Sequence, residues 1–145
     1  MAVFSDFTVI QFDSKEPNEG SYKNPYTIGD NLPGSFKITF NTGGEHHSPA
    51  LLSLMVRRLT IGSARVAIKS PTTQNVEKTI GRLDPTPTSL RNLWRHEQFV
   101  IPTNLLNSGS AGEPNTLVIG RVPGDGQPNE EFEVRDIVCF FHQET

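Results

Sequence analysis

Trp94, Arg95, His96 and Glu97 stand in a row directly ahead of the apolar run "FVIP". Together they offer an aromatic face, a cation, an imidazole and a carboxylate. An indole face can stack on the apolar side of a pyranose, and the three polar groups can exchange hydrogen bonds with sugar hydroxyls. On a strand, Arg95 and Glu97 share one face, and Trp94 and His96 share the other. A plainer reading competes at each position. Tryptophan is highly buried on average, so Trp94 also suits the end of a core. Arg95 and Glu97 also suit a salt bridge, with His96 solvated.

A second polar group, Glu45, His46 and His47, lies in "GGEHHS". Histidine is a common metal ligand and a proton shuttle near neutral pH. Adjacent histidines on an extended backbone point apart, so a metal would need His96, His142 or Asp136 as well. No CxxC or HxxxH spacing supplies such a set, and an exposed polar loop accounts for the three residues equally. Asp136 interrupts the apolar run "VRDIVCFF". A carboxylate at a covered position needs a partner, and Arg58, Arg82 or Arg95 could provide one. It then reads either as a structural ion pair or as a ligand-holding carboxylate or general base. Asp136, His46 and His96 are the catalytic candidates. Trp94, Arg95, His96 and Glu97 with Glu45, His46 and His47 are the ligand-binding candidates. Cys139, within the last strand, reads as a buried thiol rather than a nucleophile.

The elements that must position these groups are strands. The chain has 145 residues, 34% apolar and 20% charged, enough for one domain, 1–145, with its own core. Helical periodicity is almost absent, and 12 Gly and 11 Pro punctuate short β-branched and aromatic runs. Strands are expected at Asp6–Phe12, Gly34–Asn41, Ala50–Ile61, Ser63–Ser70, Thr79–Asp84 and Glu97–Pro102. The last two are "TLVIGRV" and "EFEVRDIVCFFH". In the final strand, strict alternation puts Phe132, Val134, Asp136, Val138 and Phe140 on one face. Ser14–Tyr26 and Thr42–Pro49 read as loops, and Pro85–Leu93 and Thr103–Asn115 each have room for a helical turn. The fold class is all-β, a β-sandwich of about eight or nine antiparallel strands.

From Leu59 to Phe141 the order "LTIGSARVAIKS", "TIGRL", "LWRHEQFVIPTNLLNSG", "NTLVI", "FEVRDIVCFF" resembles the galactose-binding-domain-like jelly roll. That fold is used by carbohydrate-binding modules and by accessory sandwich domains of glycoside hydrolases. Phe99, Ile101, Pro102, Leu105, Leu106, Gly109, Asn115, Thr116, Leu117 and Ile119 carry the likeness. The resemblance implies a single-domain jelly roll and a sugar ligand. It also allows a structural calcium at the oxygen-rich turns Gly29–Asn31 and Pro123–Glu131, although turn chemistry alone explains Asp-Gly. No motif requires a cofactor.

The leading functional expectation is therefore a lectin-like carbohydrate-binding protein. Two alternatives stand beside it. One is a small acid–base isomerase, cyclase or lyase holding a hydrophobic metabolite in a sandwich pocket. The other is a structural homo-oligomer joined through "LLSLMV" and "IVCFF". Net charge is −3 with basic residues scattered, and Arg57 and Arg58, adjacent on a strand, should point apart, so nucleic acid is not an expected partner. No apolar run reaches the roughly 20 residues that span a bilayer, so no membrane is expected either. The start lacks a basic n-region and a continuous apolar stretch, so no signal peptide is expected. With a lone Cys139, this suggests a cytoplasmic or non-classically secreted protein.

Overall fold

Alternating apolar residues between turn signals build strands. A computed structural model, describing residues 3–11, 26–28, 35–40, 46–60, 62–74, 76–106, 115–121 and 131–144, contains nine of them. They are β1 (Val3–Gln11), β2 (Tyr26–Ile28), β3 (Ser35–Phe40), β4 (His46–Arg57), β5 (Ala64–Lys69), β6 (Lys78–Leu83), β7 (Arg95–Ile101), β8 (Asn115–Arg121) and β9 (Phe132–Glu144). Single 3-10 turns occupy Pro71–Thr73, Thr88–Leu90 and Thr103–Leu105. Two of these fall where the sequence left room for a helical turn. Among the described residues no helix is long and apolar enough to cross a membrane.

Two antiparallel sheets face each other. One has five strands in the order β1-β9-β4-β7, with β2 also on β9; the other has four, β3-β8-β5-β6. This is the expected jelly-roll sandwich. β1 and β2 share one side of β9 in series: β1 pairs with its second half and β2 with Phe132–Val134. The core lies between the sheets. Leu52, Leu54, Val56, Ile101, Phe132 and Val134 face Ala64, Val66, Ile68, Leu117 and Ile119, all fully buried. Each large side chain buried in this way contributes about 1.5–3 kcal/mol.

Three local expectations change. His46–Pro49 belongs to β4 rather than to a loop. The ladder with β9 shifts between His47 and Leu51, and Pro49, which has no N–H to donate, sits within that irregularity. Tyr26 starts a three-residue strand, too short to show a period. The largest change is in β9. Its pairing with β4 shifts between Val138 and Arg135, and Asp136 adopts φ 53. This is a β-bulge with a left-handed aspartate, a conformation that Asp tolerates better than most residues. One extra residue reverses the alternation beyond it. Ile137, Cys139 and Phe141 therefore join Phe132 and Val134 in the core, while Val138 and Phe140 turn outward.

The open edge beside β7 is closed by aromatic contact. The Phe99 ring lies so close over Gly81 of β6 that a Cβ there would collide with it. Gly81→Ala is expected to destabilise the fold by about 1–3 kcal/mol in denaturant unfolding. Adding Phe99→Leu should recover part of the loss; an unchanged midpoint in the single variant would refute the close approach.

Burial pushes the Cys139 thiol up from 9.0 to about 12. The raised value means that the folded state favours the protonated thiol. The resulting stability is whole below about pH 9 and falls as pH rises toward about 12. Native protein at pH 8.5 should resist iodoacetamide, whereas denaturant-unfolded protein should react promptly. Fast native labelling would show the thiol to be accessible.

Candidate functional site

The outward face of the five-stranded sheet is assembled in rows, because residues opposite one another on paired strands share a face. Phe7 pairs with Phe140, Phe140 with Leu51, and Leu51 with Val100. These four form an apolar row across β1, β9, β4 and β7. Phe7, Phe140 and Val100 are 58%, 45% and 59% exposed, values normally avoided for side chains of this size. The two rings lie 6.3 Å apart and are tilted by 43°. Of the other exposed apolar side chains among the described residues, Val76 stands ahead of β6, and Leu90 and Leu93 share the turn before Trp94.

Polar groups occupy the next rows. Val138, Ser53 and Gln98 are paired across the sheet, followed by Arg135, Met55 and His96. Nε2 of exposed His96 lies 2.5 Å from Oγ of Ser53. Beyond them, Arg57 pairs with Glu133. Nε and Nη2 of Arg57 donate to the two Glu133 carboxylate oxygens at 3.1 and 3.3 Å. Trp94 completes this end. The guanidinium carbons of Arg57 and Arg135 lie over its ring, 4.4 and 4.2 Å from the centroid. Half-buried on the outer face, Trp94 neither caps the core nor stands free.

Backbone contacts hold the tryptophan there. Arg58 N–H donates to the Arg91 carbonyl at 3.0 Å, and Thr86 N–H donates to that of Leu59 at 2.9 Å. The segment leading into Trp94 is thus stitched to the end of β4. Arg58 itself has φ 68. That left-handed turn brings its side chain round, and Nε comes within 3.3 Å of Glu133 Oε1. Arg57 and Arg58 therefore meet on one carboxylate, where simple alternation had them pointing apart.

The four residues of the Trp94–Glu97 group divide in two, as alternation required. Trp94 and His96 lie on the outer face. Arg95 and Glu97 turn to the sandwich edge, where Nε and Oε1 are 3.4 Å apart and the Arg95 guanidinium donates to the Asp84 carbonyl. The Arg95–Asp84 bond ties β7 to the end of β6. Asp136 is paired with its neighbour Arg135 at 3.4 Å, rather than with Arg58, Arg82 or Arg95. Its partner is thus its sequence neighbour, at the bulge. Glu45 and the turns at 29–31 and 123–130 lie outside the described residues; His46 and His47 are placed only as backbone of β4, with His47 opposite His142. Among the described residues no three His, Cys, Asp or Glu side chains come together to hold a metal. Leu51 and Phe140 fall in the runs "LLSLMV" and "IVCFF" that the sequence offered as an oligomer face, whereas Phe7, Val100, Arg57, Glu133 and Arg135 were not singled out as site residues from sequence. Only the exposed register of β9 reveals them, and the bulge hides that register.

The sandwich has solved counterparts. A family 29 carbohydrate-binding module from Piromyces equi superposes with a TM-score of 0.62 at 13% identity, over 97% of this chain and 91% of that one. A variant of another family 29 module gives 0.62 at 11% identity, over 94% and 92%. A variant complexed with cellulohexaose gives 0.54 at 11% identity, over 94% and 91%. No protein-family model and no curated protein matches the sequence. At this identity the likeness is one of fold, and it agrees with the jelly-roll resemblance carried by Phe99–Ile119.

Proposed function

We propose that this chain binds carbohydrate on the outer face of its five-stranded sheet. The observation that carries the reading is the exposed Phe7–Phe140–Leu51–Val100 row, continued by Gln98, Ser53 and His96. Sugars need this combination. Their C–H faces pack on apolar side chains while hydroxyls exchange hydrogen bonds with a few placed polar groups. The fold is one on which solved relatives are carbohydrate-binding modules. The acid–base alternative has less support, since Asp136 is held by Arg135 and His96 by Ser53. Those two groups also stand on separate strands with β4 between them.

A glycan array followed by calorimetry on the bound sugars tests the reading. Binding that Phe140→Ala weakens supports it. No binding to any glycan at about millimolar concentration, where affinity is only about 4 kcal/mol, would remove it. Self-association lost with the same substitution would instead assign the row to a second copy of the chain.

A further inference from the structure

The end of the face around Trp94 has properties that the apolar row lacks. Three described non-glycine residues have positive φ, and two of them, Arg58 and Asp136, belong to this cluster. The described buried side-chain atoms without a hydrogen-bond partner are Nε of Arg58, Nε of Arg135 and Oδ1 of Asp136, and all three belong to it. The two Nε atoms have carboxylate oxygens at 3.3 and 3.4 Å, but not in hydrogen-bonding geometry. Backbone strain gathered at one point weakens a protein, and such strain clusters at functional sites.

The charges say which kind. Among the described residues, Arg57, Arg58 and Arg135 are ion-paired only with Glu133 and Asp136, which leaves one positive charge in surplus. A guanidinium stacked on an indole spends its face and keeps its in-plane N–H donors, and that planar fork matches a carboxylate. Arg57 and Arg135 both lie in this way on Trp94; the Nε and Nη2 donors of Arg57 are taken by Glu133, so Arg135 is the freer of the two forks.

We infer that the Arg57–Trp94–Arg135 end of the face binds the carboxylate of an acidic sugar, a uronate residue within an oligosaccharide; this rests on the carbohydrate-binding reading above. From Leu51 to Arg57 along β4 is about 20 Å at the rise of an extended strand, the length of about four pyranose rings. A chain lying along β4 rests its apolar faces on the Phe140 row and delivers a carboxylate to the guanidinium pair.

The test is an array carrying neutral oligosaccharides beside their uronate counterparts, cellohexaose beside the corresponding oligoglucuronate among them. Bound pairs are then titrated by calorimetry and by fluorescence of Trp94, the sole tryptophan. The uronate is expected to bind about tenfold more tightly than its neutral partner at low salt and to perturb Trp94 emission. The advantage should shrink at about 0.5 M salt, where charges are screened within a few ångströms. Arg135→Gln should erase the advantage, bringing the uronate's affinity down to that of its neutral partner measured with the same variant. Arg57→Gln serves as a second variant if the first fails to fold. Equal affinity for both members of a pair overturns the uronate proposal and leaves carbohydrate binding standing. Binding to neither member of any pair overturns both.

Discussion

Glu133→Ala is expected to lower stability by about 2–4 kcal/mol, among the larger losses available outside the core. The Glu133 side chain is only 12% exposed and is shared by two arginines. Removing it leaves two partly buried guanidiniums without their common counter-charge. Such a loss exceeds the value of the pair itself, because the stranded cations keep their desolvation penalty. The arginines then repel each other, and the support under Trp94 loosens. For a chain of this length the melting temperature should fall by about 2–4 °C per kcal/mol. Glu133→Gln keeps the shape and one acceptor and should lose less. The loss should depend only weakly on salt, unlike that of a solvated surface pair. A change under about 0.5 kcal/mol would mean that water already serves both arginines.

The double substitution Phe7→Ala, Phe140→Ala is expected to weaken glycan binding about thirtyfold or more, equivalent to about 2 kcal/mol. The rings are paired across β1 and β9 and stand in solvent, so they carry little of the core. Truncating them forfeits the ring–ring contact, about 0.5–1.5 kcal/mol, and otherwise leaves the fold alone. Calorimetry should show lost affinity, and the melting curve should stay close to that of the parent. Retained affinity would move the ligand to another face. Gln98→Ala on the same face should have a smaller effect, since an exposed hydrogen bond contributes only about 0.5–1.5 kcal/mol.

Much of the architecture was legible in residue patterns. Phe40 buried between exposed Thr39 and the end of β3, and Ala64, Val66 and Ile68 buried in β5, follow period-two alternation directly. The run Ala50–Arg57 became a central strand because β9 and β7 both need a partner there. The candidate site was legible only in part. Trp94 and His96 fell on one face because alternation held through β7. Their neighbours on that face come from β4 and β9, 37 residues and more away in sequence: Arg57 and Arg135 against Trp94. Nothing local announces such pairing. It depends on register, and register in β9 depends on the bulge. The convergence of Arg57 and Arg58 was equally hidden, because a left-handed arginine is a product of tertiary context rather than of propensity.

Asp136 can be understood as a change of reading frame written into a strand. Before it, the even-numbered residues Phe132 and Val134 are the ones in the interior; after it, the odd-numbered Ile137, Cys139 and Phe141 take their place. The two halves of β9 spell the same interior message in different phase, and a single backbone torsion joins them. A chain of the same composition without that shift would bring Phe140 indoors and put Cys139 on the surface, exchanging an aromatic landing for an oxidisable thiol. Small insertions and deletions are ordinarily expected in loops, where they change length and little else. Here one residue in mid-strand decides which side chains the sheet shows to its surroundings and which it keeps inside.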